Sequence, residues 1–290
     1  RLDPDTGVSS RSYQVARLAA GGLLEAVDAL LTPHSELIRQ AHDGDQRRTI
    51  GTPNSAFCFV RPPGHHAEHS RAMGFCLFNN VAIAAEYAVQ KYGLKRVLIV
   101  DWDLHHGNGT QHSFYNRRDI LYFSSHQYPH YPGSGRFDEV GSGPGEGCTV
   151  NAPFPAGFGD EEYLAVYASV LKPIALEYQP ELVLVSAGFD PYFKDPLGGM
   201  KVTGNGFGNL ATIVREIADT TCGGKMLITL EGGYNPEGLT EGVRSVLQAM
   251  TGPRWTVPIG SAPNAVKIID TIISQQRNYW KCLRENPSGG

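Results

Sequence analysis

Short β-rich runs alternating with helical patterns constrain this chain more than any other feature. The runs fall at 56–60, 96–100, 120–124, 182–186 and 226–230, and helical patterns at 82–92, 161–178, 207–220 and 237–250 separate most of them. Strands that alternate with helices pair in parallel, because each crossover helix returns the chain to the same end of the sheet. The expected fold is therefore α/β and three-layered, with a mainly parallel central sheet flanked by helices on both faces. With 290 residues, 41% of them hydrophobic, one large core can form, and a single domain over 1–290 is expected.

The remaining segments read more simply. An amphipathic helix is expected over 9–31, entered through Ser9 and Ser10, and 34–54 reads as a short helix followed by loop. The Gly- and Pro-rich stretch 127–147 is a long loop, of the kind that sits at functional rims. Its glycines at 141–147 neither follow a strand directly nor open a helix, so they are no phosphate cradle. Residues 253–290 read as a Pro-containing linker and a last helix at about 265–283, packed on the domain or trailing it.

A net charge of −4 argues against direct nucleic-acid binding, which leaves a basic footprint. No apolar run is long enough to span a bilayer. The five cysteines, Cys58, Cys76, Cys148, Cys222 and Cys282, are scattered without a C-x-x-C pair. They read as free thiols of a reducing compartment, the cytoplasm, or the nucleus if the source is eukaryotic.

In a parallel sheet, ligands bind beyond the carboxyl ends of the strands, so the residues just after each run bear on function. Arg61-Pro62-Pro63-Gly64-His65-His66 comes after the first run and Asp101-Trp102-Asp103-Leu104-His105-His106-Gly107-Asn108 after the second. Gly188-Phe189-Asp190 and Glu231-Gly232-Gly233-Tyr234 come after two others, so carboxylates, histidines and a tyrosine converge on one sheet edge. Asp103 and His105, two apart on an extended strand end, can point the same way, and Asp190 closes a third position. Such a set suits a divalent transition metal and leaves a place open for water or substrate, as catalytic zinc sites do; Fe(II), Mn(II) and Co(II) fit the same ligands.

His65 and His66 are the candidate acid–base pair, one oriented by Asp101 and the other by Asn108. Tyr234 would donate its hydroxyl to the oxyanion of an attacked carbonyl, the two glycines before it implying a close backbone approach. Bland readings compete: an Asp after a strand is often a helix cap, and paired histidines are often structural. His34, His42, His69 and His130 read as surface or loop side chains, His112 and His126 as structural, and Trp102 as core packing behind the metal.

Five strings, RPPGHHAE at 61–68, MGFCLFNNVAIAA at 73–85, VDWDLHHGNGTQ at 100–111, SAGFDPYFKDPLGG at 186–199 and LEGGYN at 230–235, together resemble the histone deacetylase family, including its acetylpolyamine-cleaving and bacterial members. The likeness runs from about Asp5 to Leu283. It implies an arginase-like fold, zinc on Asp103, His105 and Asp190, catalytic His65 and His66, and Tyr234 polarising the carbonyl. It also implies a narrow acyl-lysine tunnel walled by Gly74 and Phe75 with Tyr131 opposite, and Leu197 at its mouth. Potassium sites are implied near Asp101, Asp103, His105 and Ser124, partly through backbone oxygens.

The implied activity is removal of acetyl groups from Nε-acetyl-lysine in proteins, with acetylated polyamines or other small amines as the variant substrates. Tyr234 stands where a weakly active branch carries His, Asn108 where many members carry Asp, and Leu197 where the polyamine-specific branch carries an acid. A binuclear manganese ureohydrolase would want another carboxylate beside Asp190, where Pro191 and Tyr192 stand instead. A non-catalytic acyl-lysine binder is opposed by the complete set of His65, His66, the metal ligands and Tyr234. Family members also carry a strand and a rim loop before the first helix seen here. A protein truly missing that segment would lose a strand partner and expose edge or core surface, so the isolated piece is expected to be poorly stable, which a cooperative melt at ordinary mesophile temperature would overturn.

Overall fold

A computed structural model describes residues 2–32 and 53–284. The short helix expected within 34–54, with His34 and His42, lies almost wholly outside the described residues. Helix α1 (Ser12–Leu31) precedes β1 (Ser55–Cys58), α2 (Asn80–Tyr92), β2 (Val97–Asp101), α3 (Asn108–Phe114), β3 (Ile120–Gln127) and β4 (Thr149–Phe154). A helical stretch comes next as α4 (Asp160–Val166), a π-turn (Tyr167–Leu171) and α5 (Lys172–Tyr178). Then come β5 (Leu182–Ala187), α6 (Gly204–Cys222), β6 (Met226–Leu230), α7 (Pro236–Thr251) and α8 (Val266–Gln276).

The six strands among the described residues are all parallel, in the order β1-β6-β5-β2-β3-β4. The central strands β2, β5 and β6 are buried along their whole length, as expected of a sheet covered on both faces. Successive residues serve opposite layers. Val97 and Ile99 pack with Leu23 and Val27 of α1 and Val81, Ala85 and Ala88 of α2. Leu98 and Val100 join the larger core with Tyr163 and Val166 of α4 and Leu210, Val214 and Ile217 of α6.

The differences from the sequence reading have local causes. Strand β4 went unrecognised because Asn151 and Pro153 interrupt its apolar pattern. Pro153 lacks an amide for the ladder and is tolerated because β4 lies at the sheet edge. The helix expected over 161–178 widens into the π-turn just before Pro173, which has no N–H to donate to the preceding turn. The last helix ends at Gln276, not Leu283. Gln276 Nε2 donates to Thr149 O at 2.8 Å and Trp280 Nε1 to Gly147 O at 2.9 Å, so this terminal segment covers the β4 edge. No described helix is long and apolar enough to cross a membrane.

The register sets the site. Asp101 is paired with Ser124 of β3 on one side and Ser186 of β5 on the other, and Ser186 with Thr229 of β6. The carboxyl ends of four neighbouring strands are thereby level, and the residues just beyond them meet.

Candidate active site

Beyond β2 the backbone turns sharply around its own side chains. Asp103 N–H donates to Asp101 Oδ1 at 3.1 Å and His105 N–H to Asp103 Oδ1 at 2.9 Å. Two other strand ends lock on: Leu104 N–H donates to Asp190 Oδ1 at 2.9 Å, and Gly232 N–H to Asp103 Oδ2 at 2.8 Å. Gly232 must be glycine, because a Cβ there would lie 2.2 Å from Asp190 Oδ2. Trp102 points away into the large core, fully buried.

His105 Nδ1 lies 3.1 Å from Asp103 Oδ1 and 3.1 Å from Asp190 Oδ2. Among the described residues, Asp103, His105 and Asp190 form a group whose ligand atoms all fall within 4.8 Å of one another. Burial and the charge of Asp103 push the Asp190 carboxyl up to about 6. Burial opposes charge on His105, but the two carboxylates outweigh it and raise the imidazole to about 10. A proton thus sits where two buried anions demand a cation. Two carboxylate oxygens and one imidazole nitrogen, with no other described ligand closing the set, fit a divalent transition metal with a position left open.

The two adjacent histidines have different partners. His65 Nδ1 meets Asp101 Oδ2 at 3.0 Å, and the same oxygen accepts the Tyr122 hydroxyl at 3.0 Å. His66 Nδ1 meets Asn108 Oδ1 at 2.8 Å. Burial disfavours charge on His65, yet Asp101 and Asp103 hold it well above the ordinary imidazole range. On His66, burial and then the nearby His65 and His105 act together and push it well below that range. Burial, with Asp190 and Asp103, drives Tyr234 upward, so its hydroxyl stays protonated as a donor.

These groups open into a narrow cavity of about 100 Å³ lined by His65, His66, Asp103, His105 and Tyr234 together with Gly74, Phe75, Tyr131 and Leu197. Asp190 lies behind His105, its Oδ2 at 3.1 Å from Nδ1, while Asp101 and Asn108 stand behind His65 and His66. Tyr131 meets His66 edge-on at 5.1 Å and Phe75 meets Tyr234 at 6.0 Å between ring centroids. Gly74 (φ +57°) and Phe75 (φ +66°) are both left-handed, which turns the Phe75 ring to the mouth. A Cβ on Gly74 would lie 2.3 Å from His66 Cδ2.

The histone deacetylase domain model matches residues 1–250. The chain belongs to the histone deacetylase family. It is 41% identical to human polyamine deacetylase HDAC10 over 287 residues, 94% of this chain and 39% of that protein. It is 47% identical to the rice chloroplastic histone deacetylase 10 over 248 residues, 85% of this chain and 53% of that protein. The crystal structure of the HDA15 HD domain superposes with a TM-score of 0.82 at 37% identity, covering 98% of this chain and 75% of that one. The chain thus spans well under two-thirds of these curated relatives.

Several residues of this deacetylase-family site escaped the sequence reading. His130, expected to be a surface or loop side chain, does lie on a loop, but it is half-buried and stacks on His105 at 5.3 Å while bonding Leu197 O through Nε2. Its contact depends on how 127–147 folds back, which no local pattern reveals. Asp5 lines the cavity mouth, and Thr6 Oγ1 accepts from Phe75 N–H at 3.2 Å. Asp195 Oδ2 accepts from the amides of Tyr234 and Asn235, and its Oδ1 from Leu197 N–H.

Glu231, fully buried, accepts from the amides of Gly64 and His65 through Oε2 and from Ser186 Oγ through Oε1, holding the tandem histidine loop to the end of β6. Its place directly after a buried strand is visible in the sequence; the partners it holds are not. His112 pairs with Glu68 at 2.8 Å, His126 bonds Ser124 and Gly135 O, and His69 is exposed.

Proposed function

We propose that this chain is a zinc-dependent amidohydrolase that removes the acetyl group from Nε-acetyl-lysine in proteins. One observation carries the reading: a metal-competent triad, an imidazole backed by an amide, and a protonated tyrosine meet at the base of one narrow, aromatic-walled cavity. Held by Asp103, His105 and Asp190, zinc supplies Lewis acidity; Fe(II) or Co(II) would suit the same ligands.

The chain's own groups do the rest. Phe75 and Tyr131 take the apolar stem of the acyl-lysine and keep bulk water from the reacting amide. Tyr234 donates its hydroxyl to the acyl oxygen as charge develops there. His66, donating Nδ1–H to Asn108, turns a bare Nε2 to the cavity; it takes the proton of the attacking water and delivers it to the departing amine. His65, backed by the Asp101 carboxylate, supplies positive charge beside the developing oxyanion.

Asp5 at the mouth suits a substrate with basic residues around the acyl-lysine. It suits an acetylated polyamine as well, and HDAC10 is named a polyamine deacetylase. Apolar Leu197 at the mouth offers a second ammonium no further acid, which favours the peptide. A structural potassium ion is proposed among the oxygens of Asp101, Asp103, His105 and Ser124, where β2 and β3 pair Asp101 with Ser124.

Tyr234→Phe tests the reading. Turnover of an acetyl-lysine peptide is expected to fall about 10²–10³-fold with zinc content unchanged, whereas an unchanged rate would remove Tyr234 from the chemistry.

A further inference from the structure

Asn108 differs from a carboxylate in one decisive respect: its two ends are chemically opposite, one a donor and one an acceptor. Which end faces His66 decides which imidazole nitrogen carries the proton. With Oδ1 toward the ring, Nδ1 must donate and Nε2 is left bare. With the amide reversed, an N–H would face Nδ1, the proton would move to Nε2, and His66 could accept nothing from the cavity side. Asn108 and His66 are both buried, so bulk water is not at hand to compensate for either arrangement.

We propose that Glu68 is a positioning residue that sets the His66 tautomer by fixing the Asn108 amide. This rests on the reading of His66 as the proton acceptor. Asn108 Nδ2 points at Glu68 Oε1, with the His66 carbonyl and Met73 Sδ on the same side, each at 3.4 Å. All three are acceptors, and the carboxylate is the strongest of them and the best placed. The other end, Oδ1, is therefore the one at 2.8 Å from His66 Nδ1. Glu68 is itself held: its N–H donates to Arg71 O at 2.9 Å, and Oε1 also meets His112 Nδ1 at 2.8 Å. A chain of contacts thus runs from the half-exposed His112 through Glu68 and Asn108 to the buried imidazole. A surface ion pair with His112 alone would matter little to stability or rate; the contact to Asn108 gives the carboxylate its consequence.

The test uses Glu68→Ala, Glu68→Gln, Asn108→Asp and the Glu68→Ala/Asn108→Asp double variant of the full chain. Steady-state kinetics on an acetyl-lysine peptide are read beside the imidazole ¹⁵N shifts of His66. Glu68→Ala is expected to lower kcat about 10–100-fold with little change in KM, the range seen when a partner one step behind a site residue is removed. Glu68→Gln, whose side-chain oxygen accepts from Asn108 Nδ2, recovers most of that loss. In the Asn108→Asp background no N–H faces Glu68 and the two carboxylates repel, so adding Glu68→Ala does not lower kcat. The same loss in both backgrounds would overturn the proposal. So would a parent His66 that carries its proton on Nε2, a measurement that requires no variant to fold. If the parent chain hydrolyses no acyl-lysine, the deacetylase reading fails, and the ¹⁵N shifts still decide the tautomer.

Discussion

The floor of the cavity and its rim are built by different means. At the floor, Asp101, Asp103 and Asp190 are buried and accept from backbone amides just beyond the ends of β2 and β6. At the rim, Phe75, Tyr131 and Leu197 are 41, 38 and 40% exposed and stand on connecting segments. The floor inherits its geometry from the register of a parallel sheet whose central strands are buried along their whole length, so its atoms are held by the core. The rim is free to differ in shape and charge while the floor stays unchanged. On the proposed reading, the chemistry belongs to the floor and the choice of substrate to the rim of one pocket.

The strongest way to break that division is at the floor. Asp190→Ala is expected to lose bound zinc and to lower turnover about 10³-fold or more, read by metal analysis and acetate release. Turnover surviving without zinc would dissolve the distinction.

Gly74→Ala probes the point where rim touches floor. Its Cβ would press on His66 Cδ2 at a left-handed φ. A shift of the ring by a fraction of an ångström to an ångström is expected to cost up to about 10²-fold in kcat, with zinc retained.

A pure rim change is gentler. Leu197→Glu places a carboxylate at the mouth and is expected to shift the acetylpolyamine-to-peptide ratio of kcat/KM by about 5-fold, the scale of an exposed ion pair of roughly 1 kcal/mol. A large fall in kcat for both substrates would show that the rim is not separate from the chemistry.

The smallest effect is expected far from the cavity, at the seam between α1 and α2. Asp28 accepts from Lys91, Tyr87 and Tyr92. Burial opposes its ionisation, but these bonds prevail and hold its pKa below the ordinary value. A lowered folded pKa means the stabilisation is complete above the unfolded value of about 3.9 and is lost as pH falls through the folded one. Asp28→Asn is therefore expected to lower Tm by about 1–3 °C at neutral pH. That gap should close under acid, with kcat untouched throughout.

Much of this division was legible in the sequence. Asp103, His105, Asp190 and Tyr234 could be found because each lies just after an apolar run, and parallel strands place such residues together. The histidine pair after β1 could be found by the same rule. What escaped depends on contacts between distant segments. Glu231 grips amides that lie more than 160 residues earlier in the chain, and His130 reaches His105 only because its loop folds back across the mouth. Strand β4 escaped for a local reason, since Asn151 and Pro153 disguise an edge strand as loop. Floors made of strand ends announce themselves in sequence; rims and the bonds behind them depend on tertiary structure.

The most direct test of the central claim is acetate release from an acetyl-lysine peptide by the chain stripped of metal and then titrated with zinc. The expected result is no release from the stripped protein, release that rises with zinc until the Asp103–His105–Asp190 group is filled, and its loss on chelation. Release from stripped protein, or none from folded protein with zinc bound, would contradict the account.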